Sequence, residues 1–97
     1  MRQRIQEVQS IDQQLIKITE QIRSGDDTPF SIRDGVLMFG TRLCVPDVDN
    51  LRREILDAAH NAPYAMHPGT TKVYQTLRQH YWWPRMKRDV AELFLDV

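Results

Sequence analysis

Apolar residues recur at Ile5, Val8, Ile11, Leu15, Ile18 and Ile22 in steps of three and four, the period of a helix with one buried stripe and heptad-like spacing. This predicts a helix over residues 3–23. Ser24-Gly25-Asp26-Asp27-Thr28-Pro29 then joins a glycine stop to turn formers and a proline, which ends the helix and marks 25–29 as a linker. Phe30 and Ile32 alternate with polar neighbours, Asp34-Gly35 is a strong turn signal, and Val36 to Phe39 is a short apolar run. Gly40 permits a second turn before Arg42 to Val45, so three short antiparallel strands are expected over 30–46.

Pro46 closes the last strand and Asp47 can cap a helix whose Val48, Leu51, Ile55 and Ala59 share one face and whose C-terminal end carries His60. Asn61-Ala62-Pro63 breaks that helix, and His67-Pro68-Gly69 precedes another beginning near Thr70, with Val73, Leu77 and Tyr81, and Tyr74 beside them, as its stripe. Pro84 suits the first turn of a final helix with Met86, Val90, Leu93, Phe94 and Val97 inward. The expected fold class is α+β: an N-terminal helix, a small antiparallel hairpin or meander, then a three-helix, helix-turn-helix-like bundle. The corresponding units are an N-terminal amphipathic helix over 1–24, the 25–29 linker, and a domain over 30–97 with its hairpin at 30–46 and its helices at 47–97.

Composition narrows the function classes. The 97 residues include 13 basic and 13 acidic side chains, so the chain as a whole exerts no electrostatic pull on nucleic acid or anionic membrane. The distribution is uneven, because between His67 and Arg88 stand Lys72, Arg78, Arg85, Lys87 and Arg88 with no acid and with Tyr74, Tyr81, Trp82 and Trp83 interleaved. A single cysteine, Cys44, excludes an internal disulfide and suits a reducing compartment such as cytosol or nucleus. No apolar run approaches the roughly 20 residues of a membrane span. The opening MRQRIQEVQSIDQQ lacks the apolar core of a secretory signal. A domain this small has a thin core, a size at which a metal or other staple is commonly needed.

His60 and His67, on a loop between two helical segments, are candidate zinc ligands with six residues between them. Structural zinc takes four nitrogen or sulfur ligands, and Cys44 and His80 are conceivable third ones. Cys44 reads better as a small buried hydrophobe in a strand, and His80 as a surface or capping residue. Trp82 and Trp83 could stack on bases, although a tryptophan pair ahead of a proline more often fills a small core. Lys72, Arg78, Arg85, Lys87 and Arg88 are candidate phosphate contacts. Asp47, Asp49, Glu54 and Asp57 fall on one helix or its cap, where solvation explains them, and no catalytic constellation or glycine-rich phosphate loop is present. The expectation is a non-enzyme.

His60, His67-Pro68-Gly69, the helix led by Thr70 and Thr71, and Tyr81-Trp82-Trp83-Pro84 with Met86 resemble the integrase zinc-binding domain of gypsy-type LTR retrotransposon polyproteins. The likeness extends upstream through DGVLMFGTRLCVPDVDNLRREILDAAH and covers roughly residues 30–94. That family carries a His-His-Cys-Cys set, and the resemblance assigns zinc to His60 and His67. Its Cys-x-x-Cys stands about a turn beyond the last helix, where this sequence has Glu92-Leu93-Phe94-Leu95-Asp96-Val97. The resemblance therefore implies a polyprotein fragment truncated before the cysteine pair, with an incomplete site and weak or absent zinc.

It further implies a non-catalytic module for integrase assembly and DNA interaction in DNA integration. Its partners would be DNA and other integrase chains, or a second copy of itself, with no membrane and no small-molecule substrate. The carboxylates of strand transfer belong to a separate catalytic core in that family. Two alternatives stand beside this reading. One is a protein–protein interaction module led by the N-terminal heptad helix, and the other is a degenerate fragment with no activity.

Overall fold

The computed structural model describes the backbone of residues 1–61 and 70–95 and the side chains of 1–59 and 72–93. Helix α1 spans Arg2–Val8, a 3-10 turn follows at Gln9–Ile11, and α2 spans Gln13–Arg23. Strands β1 (Phe30–Arg33), β2 (Val36–Phe39) and β3 (Arg42–Cys44) come next, then α3 (Leu51–Asn61), α4 (Thr70–Arg78), β4 (Tyr81–Trp82) and α5 (Met86–Leu95). Helices and sheet are mixed in one chain, the α+β class expected from the hydrophobic pattern. Among the described residues no helix is long and apolar enough to cross a membrane.

The N-terminal stretch is two helices rather than the single one expected over 3–23, because Asp12 adopts extended backbone angles and starts a new helix. Its Oδ1 accepts from the backbone N–H of Gln14 at 2.8 Å and of Leu15 at 3.1 Å, satisfying donors that a helix start leaves without intrahelical partners. The break lets the chain serve both faces of the sheet. Ile5 is fully buried and, with Val8, packs into a cluster containing Val45, Leu51, Ile55, Trp83, Met86 and Val90. Leu15, Ile18 and Ile22 belong to a second cluster with Leu37, Cys44, Phe30, Phe39 and Trp82. Burial of an Ile or Leu side chain stabilises a fold by about 1.5–3 kcal/mol, so each half of the segment is held by its own apolar contacts. The heptad-like stripe is mostly covered by the chain's own sheet and helices, with Ile11 left exposed.

The sheet runs in the order β1-β2-β3-β4. β1 and β2 form the expected hairpin, with Phe30 opposite Phe39 and Arg33 opposite Val36. Asp34 and Gly35 have φ of 52° and 77°, the left-handed pair that matches a two-residue turn to the twist of its strands. β3 pairs antiparallel with β2 through Met38 opposite Leu43 and Phe39 opposite Arg42.

The fourth strand is a departure from the pattern-based reading. Tyr81, expected on the stripe of the helix before it, lies in β4 and pairs in parallel opposite Leu43, with Trp82 opposite Cys44. Strand alternation then sends neighbours to opposite faces. Leu43, Val45, Tyr81 and Trp83 join the helical cluster, while Cys44 and Trp82 join the cluster under α2.

Two helix starts also shift. Asp49 and Asn50 have φ of 54° and 58°, which interrupts the chain before Leu51, so Asp47 lies outside the first turn of α3 that it was expected to cap. Pro84 stands in a turn two residues ahead of α5, closed by Arg85 at a φ of 64°. The expected break at Pro63, the inward roles of Phe94 and Val97, and any capping by Thr70 or Thr71 lie outside the described residues or side chains.

Candidate functional site

The basic side chains singled out by the sequence all lie on the surface of the C-terminal half. Lys72 and Arg78 project from α4, Arg85 from the turn before α5, and Lys87 and Arg88 from the first turn of α5. Hydrophobic packing fixes this arrangement: Val73 and Leu77 of α4 and Met86 and Val90 of α5 are buried in one cluster, which leaves the intervening charged positions facing water.

The five are not equivalent. The Arg88 guanidinium donates to Glu92 Oε1 at 2.9 Å one helical turn away, and this bond holds its pKa above the ordinary arginine value. Arg78 lies over the Tyr74 ring, 5.7 Å from its centroid, a cation–π geometry. Arg85 lines a groove of about 800 Å³ between α3 and α5, together with Arg52, Arg53, Asp47, Asp89 and Glu92. That groove carries three cations and three carboxylates, so it has no dominant sign.

Arg52 and Asp89, which line the groove, also belong to a set of contacts that the sequence did not signal. Trp83 is 1% exposed and its Nε1–H donates to Asp89 Oδ2 at 2.8 Å. The Arg52 guanidinium lies 5.9 Å from the Trp83 ring centroid, and its Nε–H donates to the Val45 carbonyl at 3.1 Å. Burial pushes the Arg52 pKa down, and the carboxylates of Asp47, Asp12 and Asp89 oppose that shift. These partners lie on separate elements, so no local pattern in the sequence signals the set.

The tryptophan pair is split between two environments. Trp83 is enclosed in the helical core, the role expected for the pair. Trp82 is half-buried and stacks on Phe39 with centroids 5.2 Å apart and planes 14° apart, while Phe30 meets it edge-on at 5.0 Å. Arg42 lies 5.5 Å from the Phe39 centroid.

His60 falls in the last turn of α3, and its side chain, like the whole of His67, is outside the described residues. Cys44 is fully buried, as expected for a small hydrophobe, and burial pushes its thiol up to about 12. Its side chain is enclosed in the apolar cluster of Leu15, Ile18 and Leu37. His80 is exposed beside Tyr81, with ring centroids 6.3 Å apart. Among the described residues no three or more His, Cys, Asp or Glu side chains are grouped so that they could hold a metal ion.

Comparison with known proteins adds one finding. The family model described as the integrase zinc binding domain matches residues 48–94, from the lead-in to α3 to near the end of α5. No curated protein and no solved structure matches the chain.

Proposed function

From the integrase zinc-binding domain found at residues 48–94, we propose that the chain is a non-catalytic module of an integrase, serving integrase assembly and contact with nucleic acid during DNA integration. The family match carries this reading. It is supported by the exposed cations of Lys72, Arg78, Arg85, Lys87 and Arg88 within the matched segment, set on or next to helices whose apolar faces are committed to the core. Cations on a rigid bundle can meet phosphate oxygens without base-specific geometry, and such contacts give affinity that depends steeply on salt.

Fluorescence anisotropy with a labelled DNA duplex tests the nucleic-acid half. Binding is expected at low salt and should weaken as salt rises, with a log–log slope of about −0.9 for each phosphate neutralised. Replacing Lys72, Arg78, Arg85, Lys87 and Arg88 together by alanine is expected to abolish measurable binding, and single replacements to make the slope shallower. No binding by the intact chain at low salt removes this half of the proposal.

For the metal, His60 and His67 are the proposed ligands, each offering a neutral imidazole nitrogen. Two imidazoles with water completing the sphere fall far short of the roughly 10–16 kcal/mol that four-ligand zinc sites provide. Weak, exchangeable zinc is the expected result of calorimetric titration of the 97-residue chain. Tight one-to-one binding would overturn the incomplete-site reading and leave the family assignment standing.

A further inference from the structure

We propose that residues 1–46 are a strap that fixes α3 and closes the core of the family-matched segment, so that α1 through α5 form one cooperative folding unit that begins well before residue 48. Several contacts of the strap fall on or next to α3, and its β3 pairs with β4. Arg4 donates from Nη1 and Nη2 to the two carboxylate oxygens of Glu54 of α3, at 3.0 and 2.7 Å. Asp12 Oδ2 accepts the Asp47 N–H at 2.7 Å in the lead-in to α3 and stands 3.9 Å from the Arg52 guanidinium. Ile5, with 0% exposure, belongs to the same cluster as Leu51, Ile55 and Leu56 of α3, and as Trp83 and Val90.

These bonds differ in weight. The Arg4–Glu54 pair is solvent-exposed on both sides and orients more than it stabilises. Asp12 and Ile5 are buried, and their removal would leave donors without acceptors and an apolar void beside Trp83. Without residues 1–46 the segment 48–94 lacks Ile5, Val8, Leu43 and Val45, all of which pack in its cluster. An isolated α3–α5 bundle would present that apolar face to water.

Native-state hydrogen exchange on the full chain tests the strap directly, because two backbone amides are held by strap side chains. The Leu37 N–H donates to Gln9 Oε1 at 2.9 Å and the Asp47 N–H to Asp12 Oδ2. Both are expected to exchange as slowly as the α5 amides, through the same global opening. The substitution Ile5→Val is expected to speed exchange at Leu37, at Asp47 and in α5 by one common factor, on the order of threefold to tenfold. The proposal fails if Leu37 and Asp47 exchange orders of magnitude faster than α5. It also fails if Ile5→Val leaves α5 protection unchanged. Neither result bears on DNA or zinc binding, so the strap and the proposed function stand or fall separately.

Discussion

Gln9→Ala is expected to lower the unfolding free energy by about 3 kcal/mol or more, a large share of the roughly 5–15 kcal/mol that holds a domain of this size together. The side-chain amide of Gln9 donates to the carbonyls of Leu37 at 3.1 Å and Cys44 at 2.8 Å and accepts the Leu37 N–H at 2.9 Å. Paired residues of β2 and β3 end at Met38 opposite Leu43, so Leu37 and Cys44 would form the next rung. The carboxamide is inserted there in place of a backbone peptide. Alanine would strand three buried backbone groups, each of which costs about 1–3 kcal/mol when left without a partner.

Gln9→Glu is the sharper variant. A carboxylate still accepts from Leu37 N–H but faces two carbonyl oxygens with no proton to offer, so the folded state favours its protonated form and raises its pKa. By linkage that variant is best tolerated below the usual carboxylate range and loses stability as pH climbs to 7. Urea melts at pH 4 and pH 7, followed by tryptophan fluorescence, measure both effects. Unfolding free energies within about 0.5 kcal/mol of the parent for both variants would show the inserted amide to be dispensable.

Trp83→Ala is expected to cost about 3–5 kcal/mol and to leave much of the chain unfolded at 37 °C. The indole is enclosed by the helical cluster, with the Arg52 guanidinium over its ring and Asp89 at its Nε1–H, so its loss opens a cavity and removes the donor from Asp89 Oδ2. Trp83→Phe restores most of the volume and not the donor, and should fall between alanine and the parent. Trp82→Phe is expected to be far milder, within about 1.5 kcal/mol, because that ring is half-buried and a phenyl can still stack on Phe39. Thermal melts of the three variants give the ranking. Equal losses for Trp82→Phe and Trp83→Ala would contradict the placement of the two rings in separate cores.

Much of this fold was legible from local pattern. The Asp34-Gly35 hairpin, the three antiparallel strands, and the buried stripes of α3, α4 and α5 follow from alternation, turn chemistry and helical period. What escaped is non-local. The period from Ile5 to Ile22 continues through Asp12 without a fault, and nothing in it reveals that its two halves cover different faces of a sheet. Gln9 finds its partners 28 and 35 residues away, a pairing invisible to any window.

β4 is two residues long, too short to declare a period, although the run Tyr81-Trp82-Trp83 is rich in residues that favour strands. For the candidate interface, exposure of Lys72, Arg78, Arg85, Lys87 and Arg88 follows from the apolar spacing of α4 and α5. Their differing engagements, Arg88 with Glu92 and Arg78 with Tyr74, depend on side-chain placement that spacing does not encode.

The parallel pairing of β3 with β4 places Trp82 and Trp83 back to back, one on each side of the sheet. A single-residue insertion or deletion between His80 and Trp83 would therefore not damage one layer and spare the other. It would invert both together, driving Trp83 toward the ring stack of Phe39 and Phe30 and presenting a neighbour of the wrong size to Val45 and Leu51. Loop-length variation in this protein should accordingly be tolerated in the 24–29 connection and be lethal to the fold in the three positions after His80.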